Sequence, residues 1–286
     1  EDSDGTSEDN NDAFCAGAAY VFARSMGVWN QSAYLKASNA EEMDYFGGSV
    51  AIDDDTIVVG APYEDSDGTG EENNDAPQAG AAYVFDVILP IGWMQTAYLK
   101  ASNAEASDNF GMSVAINGNT IVVGAYGEDS DGTGEENNGA SMAGAAYVFV
   151  RSGEVWLQEA YLKASNAETV DYFGFSVVTN DDIIVVGADG EDSDGTSEEN
   201  NDAFNAGAAY VFDEPVYAPI LLVDDDDNDP DVRSYYTDAL DALGESYDIW
   251  DTNNSDDEPD YETLSNYEKV IWFSGDEFGG YAGPGA

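Results

Sequence analysis

The sequence predicts a mainly β chain of four-stranded, propeller-like blades, three full repeats plus a half, followed by an incomplete α/β segment. Three observations carry that expectation: an internal repeat, four short strand patterns inside each period, and a change to strand–helix–strand patterning where the repeat stops. The string Glu-Asp-Ser-Asp-Gly-Thr begins at Glu1, Glu64, Glu128 and Glu191, in steps of 63, 64 and 63 residues. Ala-Gly-Ala-Ala-Tyr-Val-Phe begins at Ala16, Ala79, Ala143 and Ala206, and Ala-Tyr-Leu-Lys-Ala-Ser-Asn-Ala begins at Ala33, Ala97 and Ala160. A fixed period of this kind marks stacked supersecondary units.

In the second copy the strands are expected at Ser49 to Ile52, Thr56 to Ala61, Ala81 to Phe85 and Trp93 to Ala101. Ile57 to Val59 and Ala82 to Phe85 are continuously apolar, as inner strands covered on both faces require, whereas Gln95, Thr96 and Lys100 mark an outer strand. Four such strands per period describe a propeller blade, which buries its faces only by stacking on neighbours. Trp29, Trp93 and Trp156 recur at one phase and read as blade-to-blade packing anchors. The repeats occupy 1–212. Residues 213–219 hold two prolines and read as a linker. Residues 220–286 read as a partial α/β domain, with strands at Ile220 to Val223, Tyr247 to Trp250 and Val270 to Phe273 and a helix from Asp231 to Leu243. Tyr235, Ala239 and Leu243 share one face of that helix. The chain then closes on a glycine-rich run and is expected to be clipped before such a domain is complete.

Sixty acidic against seven basic residues give a formal charge of −53, while 43% hydrophobic content is enough for a core. Such a field repels nucleic-acid phosphates and anionic lipids, so neither is an expected partner, and it attracts cations. No apolar run is long enough to span a membrane. With no histidine and the single Cys15, disulfide frameworks, Cys/His zinc sites and His-dependent triads are excluded. Acids are so abundant that a carboxylate pair carries no glycosidase signal, and no enzyme is expected.

The chain resembles FG-GAP repeat proteins, the units of the integrin α-subunit head propeller and of many bacterial and archaeal surface proteins. The residues that carry the likeness are Phe46-Gly47 with Gly60-Ala61-Pro62, Phe110-Gly111 with Gly124-Ala125-Tyr126, and Phe173-Gly174 with Gly187-Ala188-Asp189. The resemblance implies a propeller, an extracellular or cell-surface location, calcium-dependent structure and an adhesive or scaffolding role. Family members often carry a calcium loop between the first two strands. Here that turn is only Asp53-Asp54-Asp55, Asn117-Gly118-Asn119 or Asn180-Asp181-Asp182, so the family's metal positions do not transfer. Residues after Ala218 also resemble the start of an α/β domain of secreted bacterial proteins, with Leu221 to Asp226 as first strand, and imply no hydrolase chemistry.

The residues themselves point to a different metal site, the loop of about 17 residues between the second and third strands. Calcium takes six to eight oxygen ligands, and Asp-x-Asp-Gly followed by Glu offers carboxylates at alternate positions. The candidate ligands are Asp2 and Asp4; Asp65, Asp67, Glu71, Asn74 and Asp75; Asp129, Asp131, Glu135 and Asn138; and Asp192, Asp194, Glu198, Asn201 and Asp202. Glu72 and Glu136 stand beside them, and Gly139 replaces the final Asp of the third copy. The alternative is a solvated acidic loop. Asp224 to Asp229 reads as a solvated acid run, with a metal at the strand end as its alternative. Lys36, Lys100 and Lys163 occupy one phase and are expected to pair with carboxylates of the loops or adjacent strands. Asn30 and Asn253 head glycosylation sequons. Together these features predict a calcium-stabilised structural or adhesive repeat protein, self-associating into a filament or surface layer through its open end blades. The alternatives are a non-catalytic module of a larger secreted enzyme, or a receptor head that binds glycans or surface proteins.

Overall fold

A computed structural model of the chain describes residues 1–5, 11–71, 73–135, 137–180, 183–198, 200–213, 218–224, 233–243, 247–252, 259, 261–264 and 267–273. The chain divides into two compact units, Glu1–Phe212 and Asp213–Ala286.

The first unit is a row of antiparallel sheets. β1 (Ala19–Ser25) and β2 (Val28–Leu35) form a two-stranded sheet, joined by Met26 and Gly27 with φ of 49° and 87°. Two consecutive left-handed residues give the hairpin turn whose twist matches that of strands. β3 (Ser49–Asp53), β4 (Thr56–Ala61), β5 (Ala81–Ile88) and β6 (Gly92–Leu99) form a four-stranded sheet in chain order. β7 (Ser113–Asn117), β8 (Thr120–Ala125), β9 (Ala145–Ser152) and β10 (Val155–Leu162) repeat it. β11 (Phe173–Asn180), β12 (Ile183–Ala188) and β13 (Ala208–Asp213) form a three-stranded sheet. Among the described residues the blades are thus two complete, one with three strands and one half. Within a blade the apolar runs lie inside: β4 and β5 are buried almost throughout, while β6 alternates.

Three apolar clusters lie between successive sheets. One joins Ala19, Leu35 and Phe46 to Ile57, Val59 and Tyr83. The next joins Val58, Ala82 and Val84 to Ile121, Val123 and Tyr147, and the third joins Val122 and Ala146 to Phe173, Val186 and Ala188. β3, β7 and β11 lie side by side. The Phe-Gly and Gly-Ala strings are the seams of this stack. The Phe46 N–H donates to the Ala16 carbonyl at 2.9 Å, and its ring meets Tyr83 edge-on at 5.4 Å. Phe110 and Phe173 repeat both contacts. A Cβ on Gly60 would lie 2.0 Å from the Gly111 oxygen, and one on Gly124 would lie 1.9 Å from the Gly174 oxygen. Only glycine lets the backbones of neighbouring blades touch there.

The tryptophan expectation needs correction at one end. Trp156 is buried between two full blades and Trp93 packs on the cluster before it, but Trp29 is 65% exposed. It sits on the half blade, which has no preceding sheet among the described residues to pack against.

The second unit holds β14 (Ala218–Asp224), α1 (Arg233–Leu243), β15 (Asp248–Asp251), α2 (Tyr261–Leu264) and β16 (Tyr267–Phe273). Its sheet is parallel, in the order β15-β14-β16. α2 has no counterpart in the sequence reading. Asp224 is not solvated as expected: it is 1% exposed, and both it and Asp251 accept hydrogen bonds from Arg233. Parallel strand ends and the start of α1 bring these three together. Linker residues 214–217, acid-run residues 225–229, helix residues 231–232, the Asn253 sequon and the terminal run 274–286 lie outside the described residues, whereas Asn30 is exposed on β2.

Candidate functional site

The second, third and fourth acidic loops each fold around their first glutamate. Glu64, at the end of β4, is 2% exposed although it opens a run of acids. Its carboxylate accepts from the Ser66 N–H at 3.2 Å, the Asn39 amide at 3.2 Å, the Tyr98 hydroxyl at 3.1 Å and the Lys100 ammonium at 2.8 Å. Asn39 comes from the connector of the preceding blade, and its own oxygen accepts the Tyr83 hydroxyl at 2.6 Å. Glu128 repeats the arrangement with Ser130, Asn103 and Lys163, the last at 2.6 Å. Lys36 reaches Glu1 at 3.2 Å. The periodic lysines therefore do pair with loop carboxylates, and all three are at most 7% exposed.

The acids proposed as ligands hold the loop to itself. Asp2, Asp65, Asp129 and Asp192 each use Oδ1 to accept a backbone N–H thirteen residues on, at Cys15, Gln78, Met142 and Asn205. Each of those acceptor-bound residues has a positive φ, between 52° and 61°, so the carboxylate secures an otherwise unfavourable backbone at the loop's base. Asp67, Asp131 and Asp194 accept from the N–H and hydroxyl of the threonine two residues on. The Thr69 bonds hold the Asp67 carboxyl below the usual carboxylate range, and Thr133 and Thr196 do the same for Asp131 and Asp194. Asp4 stands at the equivalent position in the first loop, of which 6–10 lie outside the described residues.

Other ligand candidates reach across to the preceding blade. Glu71, Glu135 and Glu198 accept from the hydroxyls of Ser38, Ser102 and Ser165 at 2.7, 2.8 and 2.7 Å. Asn74, Asn138 and Asn201 donate to Glu41, Glu105 and Glu168 at 2.6, 2.7 and 2.6 Å. Asp75 and Asp202 stay exposed, and Glu72 and Glu136 lie outside the described residues. The candidates of one loop thus have separate partners. Among the described residues no group of three or more Asp, Glu or Cys side chains is arranged to hold a metal ion. In the second loop, Oδ2 of Asp65 and Oδ2 of Asp67 accept no bond from the described residues.

Sequence reasoning passed over three groups that organise the site. Asn73, Asn137 and Asn200 each accept a backbone N–H six residues before them, at 3.0, 3.0 and 3.1 Å. Asn39, Asn103 and Asn166 carry the bridge between blades. Asp44, Asp108 and Asp171, each accepting an N–H three residues before it at 2.7 Å, are buried beside the loops. Burial pushes Asp44 and Asp108 up to about 7 and Asp171 up to about 6. Their periodicity was the available signal.

Sheets stacked by glycine seams, with one loop network recurring in the second, third and fourth periods, define a repeat protein of propeller-like blades. The FG-GAP repeat family model matches the chain three times, over 29–85, 93–149 and 156–212, and the chain belongs to that family. Each match begins at or beside the fourth strand of one blade and ends in the third strand of the next. No curated protein matches the chain. No helix among the described residues is long and apolar enough to cross a membrane.

Proposed function

We propose that the chain is a non-catalytic structural and adhesive module of an extracellular or cell-surface protein, which self-associates and uses calcium as the counter-ion of its loops. The observation that carries this reading is the recurrence of one set of loop hydrogen bonds in the second, third and fourth periods. The glutamate, the two aspartates and the asparagines do the same holding work in these three loops, whereas a catalytic centre needs one differentiated set. FG-GAP membership supports the extracellular placement. Self-association is supported by exposed apolar side chains at both ends of the blade row, Phe22, Trp29 and Ile52 at one and Phe175, Val178 and Val211 at the other. Calcium is supported by the charge of −53 and by the carboxylate oxygens that the loop bonds leave over.

Negative-stain microscopy of the purified chain tests assembly: filaments or sheets are expected, and single particles at all concentrations would remove self-association. Melting and calorimetry with calcium or a chelator test the counter-ion, which an unchanged melting temperature and no binding heat at millimolar calcium would eliminate. A glycan array tests for adhesion to carbohydrate.

A further inference from the structure

The last blade of the first unit is built like the others up to its third strand. β13 carries the same Ala-Ala-Tyr-Val-Phe as β5 and β9. Where β6 and β10 cover those strands, β13 has no outer neighbour among the described residues. Tyr83 and Tyr147 are fully buried, Tyr210 only partly. An open cavity of about 450 Å³ lies there, lined among others by Lys163, Ser165, Glu191, Ser193, Tyr210 and Phe212.

Glu191 points the chemistry of this slot. It is 2% exposed, as deeply set as Glu64 and Glu128. It accepts from the Ser193 N–H and the Asn166 amide, both at 2.9 Å. Glu64 and Glu128 have those same partners and, in addition, a lysine delivered by the end of their own fourth strand. Among the described residues no fourth strand brings a lysine to Glu191. Lys163, which lines the slot, is bound to Glu128 at 2.6 Å.

We propose that the outer edge of β13 is a docking site for an extended segment of a separate polypeptide, which adds as a fourth antiparallel strand and sets a lysine against Glu191. Its chemistry is that of the seated fourth strands, with a tyrosine two residues before the lysine, as in Tyr98 and Lys100 or Tyr161 and Lys163. Those tyrosines sit opposite Tyr83 and Tyr147 and reach the hydroxyls of Ser66 and Ser130. On β13 the incoming tyrosine sits opposite Tyr210, beside Ser193. Main-chain pairing supplies affinity and the buried carboxylate supplies selectivity for the cation. A second folded copy has no such strand free, because Lys36, Lys100 and Lys163 are engaged with Glu1, Glu64 and Glu128.

The test titrates the full chain with a synthetic peptide of sequence Val155–Ala167 and follows heat and hydrogen exchange of residues 208–213. One-to-one binding with protection of that segment is expected. The same peptide with Lys163→Glu is expected to bind at least about tenfold more weakly. A Glu191→Gln chain is expected to bind the two peptides within about twofold of each other. Failure of the first peptide to bind, or equal binding of both peptides to the unaltered chain, overturns the proposal, and this pair decides even where the variant chain does not fold. A dimer of the chain alone that the peptide dissociates also overturns it, by assigning the edge to a second copy.

Discussion

Exchanging Lys100 for methionine keeps most of the side chain's packing and removes one charge. The ammonium lies 2.8 Å from Glu64 Oε2, with the two side chains 7% and 3% exposed. Burial pushes the Lys100 ammonium down and outweighs the opposing pull of the Glu64 carboxylate, as expected where desolvation offsets the attraction within a buried pair. Removing the cation alone leaves Glu64 buried with Asn39, Ser66 and Tyr98 as donors. An uncompensated buried charge destabilises by about 3–5 kcal/mol. The neutral donors hold the loss near the low end, about 3 kcal/mol, since each contributes about 1 kcal/mol. The Glu64→Gln/Lys100→Met pair of changes removes both charges and is expected to lose about 1–2 kcal/mol, well below the sum of the single changes. Urea unfolding of the full chain measures the loss. Hydrogen exchange locates it, with faster exchange expected at Ser66, Gln78 and Gly80, whose N–H groups bond within this loop. A loss for Lys100→Met below about 0.5 kcal/mol, or additive single changes, would refute the ion pair as the fastening of the loop.

Three further outcomes are expected. Asp44 and Asp108 titrate at about 7 in the folded chain and Asp171 at about 6, against about 3.9 unfolded. The native state therefore binds more protons between those values, and stability falls as pH rises from about 4 to 7 and then levels; Asp108→Asn should be neutral or stabilising at pH 8, and a melting temperature that rises with pH over this window would contradict the burial argument. Arg151 grips both oxygens of Asp86 at 3.1 and 3.0 Å, across adjacent blades. Burial raises Asp86, but the Thr96 and Thr56 hydroxyls and Arg151 outweigh it and leave its pKa lowered. Arg151→Ala is expected to lower stability by about 1–3 kcal/mol, partly restored by Arg151→Lys, as urea midpoints will show. Gly124→Ala, whose methyl would meet the Gly174 oxygen at 1.9 Å, should lower stability by more than about 3 kcal/mol, whereas Gly134→Ala, which meets only Asn137 at 3.9 Å, should change it by less than about 1 kcal/mol.

The strands were legible because their apolar runs stand between strongly polar strings. Thr56–Ala61 falls where the sequence placed it, and Ser49 and Ala81 open their strands as expected. The lysine pairing was also legible, since Lys36, Lys100 and Lys163 follow Glu1, Glu64 and Glu128 at a nearly constant interval. Which acid each lysine meets was not. Glu64 heads a run of acids, and nothing local separates the one carboxylate that is buried from those that turn back onto the loop's own N–H groups. Asp65 and Asp67 look like alternate metal ligands in sequence, yet their donors are backbone N–H groups and the Thr69 hydroxyl of the same loop, which composition does not display. Asp224 looked solvated because its partner Arg233 arrives from α1 through the crossover of a parallel sheet.

The unit that recurs in sequence and the sheet that forms in space are out of phase, each family match supplying the last strand of one blade and the first three of the next. Exchange of genetic material between repeats moves whole sequence units. Inserting or deleting one such unit therefore leaves every interior sheet four-stranded and every seam intact, and it carries the unfinished sheet, with its waiting carboxylate, to the new end of the array. Length can vary freely while the terminus keeps a constant chemistry.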